Sequence, residues 1–113
     1  MKNYEDMSYF EINCKVALYL GESVSREHEC MKSGSCFLLT EIMADRVEFN
    51  PCNNPSDAWP IIVENKINIE WRDSLKVPPL AKGTGGNQCW HADKNPLRAA
   101  MICFLKMNDE REL

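Results

Sequence analysis

Two histidines and six cysteines carry the most direct chemical capacity in this 113-residue chain. His28, Cys30 and Cys36 lie close together, and Cys52, Cys89 and His91 follow farther along. Zinc takes four nitrogen or sulfur ligands in a tetrahedron, usually from paired ligands at fixed short spacings. No C-x2-C pair occurs here, and His28-x-Cys30 and Cys89-x-His91 are not standard knuckle spacings. Alternate residues of a strand share a face, so Cys89 and His91 are geometrically able to act together. Scattered reduced cysteines are the simpler account. The expectation is therefore no metal and no cofactor, with His28, Cys30, Cys36, Cys89 and His91 as the runner-up metal set. A cysteine nucleophile built from Cys52 or Cys89 with His91 and Asp93 is a second option. A chain this rich in cysteine offers such combinations freely and only geometry decides among them, so no catalytic residue is assigned and a non-enzyme is favoured. The glycine stretch KGTGGN (82–87) lacks the G-K-[ST] ending that grips phosphate and Mg²⁺, and reads as a linker.

A different group of residues suits recognition. Asn53, Asn54, Asp57 and Trp59 cluster in the stretch NPCNNPSDAWPIIVEN (50–65). Asn54 and Asp57 have a structural use as helix-capping residues, and Trp59 has one as a core residue. Asn53 is not needed for capping, and with Trp59 it could line a groove, because Trp combines a large contact area with one donor. Trp90 is grouped with this binding set. Arg98 belongs to it for another reason: as the third residue of an expected helix it sits where the helix dipole disfavours a cation. It needs a carboxylate partner, for instance Asp57, or an anionic ligand at that helix end.

These residues are positioned by elements that the pattern makes explicit. Ser8 and Glu11 form a capping box, with Met7 and Ile12 as a hydrophobic staple, and Tyr9, Ile12, Val16 and Leu20 recur at helical spacing. A helix over 9–20 ending at Gly21 follows. Residues 21–34 read as loop. Cys36–Met43 is strand or helix, with 46–49 as its pairing strand. Asn54 caps and Pro55 opens a central helix. Pro60 would clash with the Ser56 carbonyl, so a tight turn with a restart, or a kink, is expected there before Ile61, Ile62 and Val63 enter the core. INIEW (67–71) alternates and reads as a strand with Ile67, Ile69 and Trp71 on one face, 73–87 as a surface loop, and QCWHA (88–92) as the hairpin partner of INIEW. Asn95 and Pro96 repeat the cap-and-proline start. Leu97, Ala100, Met101, Phe104 and Leu105 then give an apolar helical face running to about Met107, with Met101, Phe104 and Met107 in the core. The fold class is α+β: a small single domain, 1–113, with two to three amphipathic helices packed on a small antiparallel sheet.

Composition narrows the function. Net charge is −4, with Lys and Arg scattered, which disfavours nucleic-acid binding. No apolar run approaches the ~18 residues that span a bilayer. The opening MKNYEDMSYF is acidic and polar where a signal peptide is basic and then apolar, so a cytosolic chain with reduced thiols is expected.

The segments PCNNPSDAWPIIVEN (51–65) and NPLRAAMICFL (95–105), with the helix FEINCKVALYLG (10–21), resemble the NinX-like family of lambdoid phage and prophage proteins. The resemblance covers about half the chain and leaves 22–47 unmatched. It implies a phage origin, the host bacterial cytoplasm and no catalytic residues. It fits an accessory protein that binds a host or phage protein, modulating a host defence or replication factor, with a homo-oligomer also compatible. The alternative is a zinc-binding or small-molecule-binding domain with catalytic potential.

Overall fold

A computed structural model of the chain describes residues 3–25, 34–39, 46–72, 76–84 and 89–111. Among them are three α-helices and two small antiparallel sheets, so the architecture is α+β. The chain divides into two compact units, Met1–Asn50 and Pro51–Leu113.

In the first unit a short 3-10 turn, Tyr4–Asp6, leads into helix α1, Tyr9–Tyr19. The start follows from its residues. The Ser8 hydroxyl accepts from the Glu11 N–H at 3.1 Å, and the Glu11 carboxylate accepts from the Ser8 N–H at 3.4 Å. Two donors that a helix start leaves unpaired are thereby satisfied. The end is equally local: Gly21 adopts φ +80°, the Gly21 N–H donates to the Leu18 carbonyl and the Glu22 N–H to the Ala17 carbonyl, which is a Schellman ending. Ile12, Asn13, Val16 and Ala17 face inward. Tyr9 and Leu20, expected at the two ends of this stripe, are exposed instead. Buried Asn13 donates through Nδ2 to Asn50 Oδ1 at 2.9 Å.

Strand β1, Phe37–Leu39, pairs antiparallel with β2, Arg46–Glu48, as the sequence suggested. Val24 bridges to Leu38 on the other edge of β1, with the Ser25 N–H on the Phe37 carbonyl and the Leu39 N–H on the Ser23 carbonyl, both at 2.8 Å. Part of the 21–34 segment therefore joins the sheet rather than looping freely. His28 and Cys30 lie outside the described residues.

The second unit opens with helix α2, Pro55–Glu64. Asn54 Oδ1 accepts from the Ser56 N–H at 3.0 Å, and Pro55 takes the first helical position, where its missing N–H costs nothing. The helix continues through Pro60, with no restart. Its buried side is Ala58, Ile61 and Ile62, whereas Val63, expected inside, is exposed. Asn65 closes the helix, and Lys66 turns the chain at φ 52°, a left-handed conformation that glycine adopts more readily.

Strands β3, Ile67–Glu70, β4, Leu80–Gly83, and β5, Trp90–Ala92, form an antiparallel sheet in the order β3-β4-β5. The segment expected to be a surface loop thus supplies the central strand, and the two predicted strands do not pair with each other: β4 lies between them. Leu80–Gly83 escapes a propensity reading because two prolines precede it and two of its four residues, Ala81 and Gly83, are small. Those small residues are functional in packing, since Ala81 and Gly83 are buried and helix α3, Pro96–Arg111, packs over β4. Trp71 follows β3 and is exposed rather than aligned with Ile67 and Ile69.

Helix α3 is the centre of this unit. Residues 98–105 are all buried, and Met107 is too. The sequence predicted a one-sided apolar face, but Ala99, Ile102 and Cys103 are covered as well, as in a helix enclosed on all sides. The helix also runs beyond Met107, to Arg111, with Asn108 Nδ2 donating to the Phe104 carbonyl at 2.8 Å.

Candidate functional site

The two asparagine–proline corners are chemically joined. Asn95 Oδ1 accepts from the N–H groups of Leu97 at 3.0 Å and Arg98 at 3.3 Å, which caps α3. Its Nδ2 donates to the Cys52 carbonyl at 2.7 Å and to Asn53 Oδ1 at 3.1 Å. One amide therefore uses both its ends: the oxygen starts α3, and the nitrogen holds the turn that precedes α2. Asn53 gains a structural role here that its position in the sequence did not show.

Asp93 completes the corner. Its Oδ1 accepts from the Asn95 N–H at 2.9 Å, and its Oδ2 pairs with Arg98 Nη1. Asp93, five residues earlier, supplies an internal carboxylate for Arg98. The arrangement explains how a cation is tolerated in the first turn of α3. Asp93 stands at the positive end of the helix, where an anion is favoured, and it offsets the arginine.

Cys52 is fully buried beside this pair. Burial pushes its thiol from 9.0 up to about 12; Arg98 acts to lower it and Asp93 to raise it. A nucleophilic cysteine needs the opposite, a depressed thiol in an electropositive, partly open site. Cys89 and His91 are both buried and neighbour the exposed Trp90, in keeping with alternation along β5. His91 Nδ1 lies 3.3 Å from Lys106 Nζ. The Cys103 thiol donates to the Cys89 carbonyl at 3.4 Å and is pushed up to about 11, mainly by burial and by Cys89. In the first unit the Cys36 thiol is raised by a hydrogen bond with Cys14 and by burial. These thiols act as small buried apolar groups. Cys14 is only partly buried. Among the described residues no three His, Cys, Asp or Glu side chains gather to hold a metal ion, and every buried side-chain nitrogen or oxygen has a partner. Of the residues named for zinc, Cys36 belongs to the first unit and Cys89 and His91 to the second, while His28 and Cys30 lie outside the described residues.

What remains outward is tryptophan. The chain has three, and all are exposed: Trp59 by 63%, Trp71 by 72% and Trp90 by 60%. Trp is ordinarily among the most highly buried side chains on average, so this distribution is the reverse of what folding alone favours. Trp59 thus departs from the core position that its helical setting suggested. Trp90 has Lys106 Nζ 6.0 Å from its ring, and its carbonyl accepts from that same ammonium at 3.2 Å. The sequence named Trp59 and Trp90 as binding candidates, whereas the alternation of INIEW placed Trp71 with the inward isoleucines.

A family model described as Bacteriophage P22, NinX, matches residues 3–108. The chain belongs to this NinX family. The match runs through both units and includes the 22–47 region that the sequence resemblance left uncovered. No curated protein matches the chain. Among the described residues no helix is long and apolar enough to cross a membrane.

Proposed function

We propose that this NinX-family chain is a phage accessory protein that acts in the host cytoplasm by binding a host or phage protein, modulating a host defence or replication factor. The observation that carries this reading is the outward placement of all three tryptophans in the second unit. Exposed tryptophan is costly to keep in water, and at interfaces it supplies a disproportionate share of binding energy. The chemistry of the buried groups supports the same reading. Cys52 and Cys103 carry raised thiols, and Asp93 is engaged by Arg98 and by the Asn95 N–H.

The test is co-purification from phage-infected cells with tagged wild-type protein and a W59A/W71A/W90A variant, after confirming that the variant folds. A partner retained by the wild type and lost by the variant is expected. An identical set of proteins with both would contradict the reading.

A further inference from the structure

The exposed side of α2 collects four departures from what a surface helix requires. Trp59 and Val63 are apolar, lie one turn apart at i and i+4, and are exposed by 63% and 54%. Pro60, also exposed, sits inside the helix, where proline removes an i→i−4 hydrogen bond. Glu64, exposed one turn after Pro60, occupies the last helical residue, where the dipole already concentrates negative charge and a cation is preferred. The buried side of the same helix, Ala58, Ile61 and Ile62, breaks no such rule. Local conflicts confined to one solvent-facing ridge mark a surface kept for something other than stability.

The charge of the ridge indicates its occupant. Helix α2 carries Asp57 and Glu64 and no Lys or Arg; exposed Lys66 follows its cap, and the stretch 55–66 keeps a net negative charge, with Glu64 next to two apolar side chains. Phosphate-bearing ligands are repelled there, whereas a cationic protein segment is attracted. Building on the protein-binding reading above, we propose that Trp59, Pro60, Val63 and Glu64 form a docking ridge for a basic-apolar peptide segment. The segment lays an aliphatic or aromatic side chain on Trp59 and Val63 and sets a Lys or Arg beside Glu64.

A random peptide library displayed on yeast, screened against the intact purified chain, tests this directly. The expected binders combine an apolar residue with nearby Lys or Arg. Their binding weakens with added salt and falls by roughly tenfold or more with W59A and with E64K, as hot-spot and charge-reversal changes do. W59A, E64K and P60A keep wild-type or higher resistance to urea, so the loss is not unfolding. Acidic binders, binders indifferent to W59A and E64K, or no binder at all would overturn the assignment. Binders that depend on Trp71 or Trp90 but not Trp59 would overturn the ridge and leave the protein-binding reading standing. Self-association by sedimentation that W59A abolishes would replace the basic segment by a second copy of the chain.

Discussion

Asn95 Nδ2 donates to Asn53 Oδ1 at 3.1 Å, tying together two residues 42 positions apart. The same nitrogen donates to the Cys52 carbonyl, so the two asparagine–proline corners form one hydrogen-bonded feature. Replacing Asn95 by Ala removes an N-cap, worth about 1 kcal/mol, and a hydrogen bond to the carbonyl of a fully buried residue, worth about 1 kcal/mol more. Asn95→Asp keeps the capping oxygen but sets a carboxylate oxygen against the Cys52 carbonyl and Asn53 Oδ1, so the donor is lost and a repulsion is added. Urea denaturation is expected to place both variants below wild type. Equal stability of all three would show that the link contributes nothing.

That link also shows how far the sequence could be read. The starts of α1, α2 and α3 were legible because Ser8, Asn54 and Asn95 act on donors two or three residues away. Strand β4 was not legible, because its small residues are selected by the helix that packs on them and not by strand propensity. The end of α3 was misjudged because polar residues there follow the helix past its buried part. Of the candidate site, the capping asparagines could be named in advance, but the Asn53–Asn95 contact and the exposure of Trp71 depend on packing that no local spacing encodes.

The Asp93–Arg98 pair gives an asymmetric prediction. Asp93→Ala leaves a guanidinium, largely buried, at the positive end of α3 and also removes the acceptor of the Asn95 N–H. Arg98→Ala leaves an anion where the dipole favours one and that N–H still bonds to it. Asp93→Ala is expected to cost about 3 kcal/mol and Arg98→Ala roughly half of that, judged against the usual cost of breaking a buried pair. The reverse order in thermal or urea unfolding would contradict this electrostatic account.

Raised thiols make the fold sensitive to alkali. Cys52 and Cys103 rise from 9.0 in the ordinary thiol to about 12 and about 11 in the fold. Over that interval the unfolded chain has lost protons that the folded chain keeps. Their contribution to stability is complete below pH 9 and declines as pH climbs through the folded values. Stability measured across this range is expected to fall, and more gently in Cys52→Ala. A pH-independent stability there would show that these thiols ionise normally.

Pro60→Ala is expected to stabilise the chain by about 1–3 kcal/mol, because it restores a donor within α2 and removes the ring that crowds the preceding turn. A destabilised variant in chemical denaturation would mean that the proline supports the fold, and would remove one reason for regarding the α2 ridge as a binding surface.

Acrylamide quenching of tryptophan fluorescence in the free protein bears most directly on the central claim. With all three rings outward, the account predicts that the whole emission is quenched about as readily as that of a small tryptophan peptide, and that saturating the protein with a co-purified partner protects part of it. A fraction of the emission shielded from acrylamide before any partner is added, or no added protection afterwards, would contradict it.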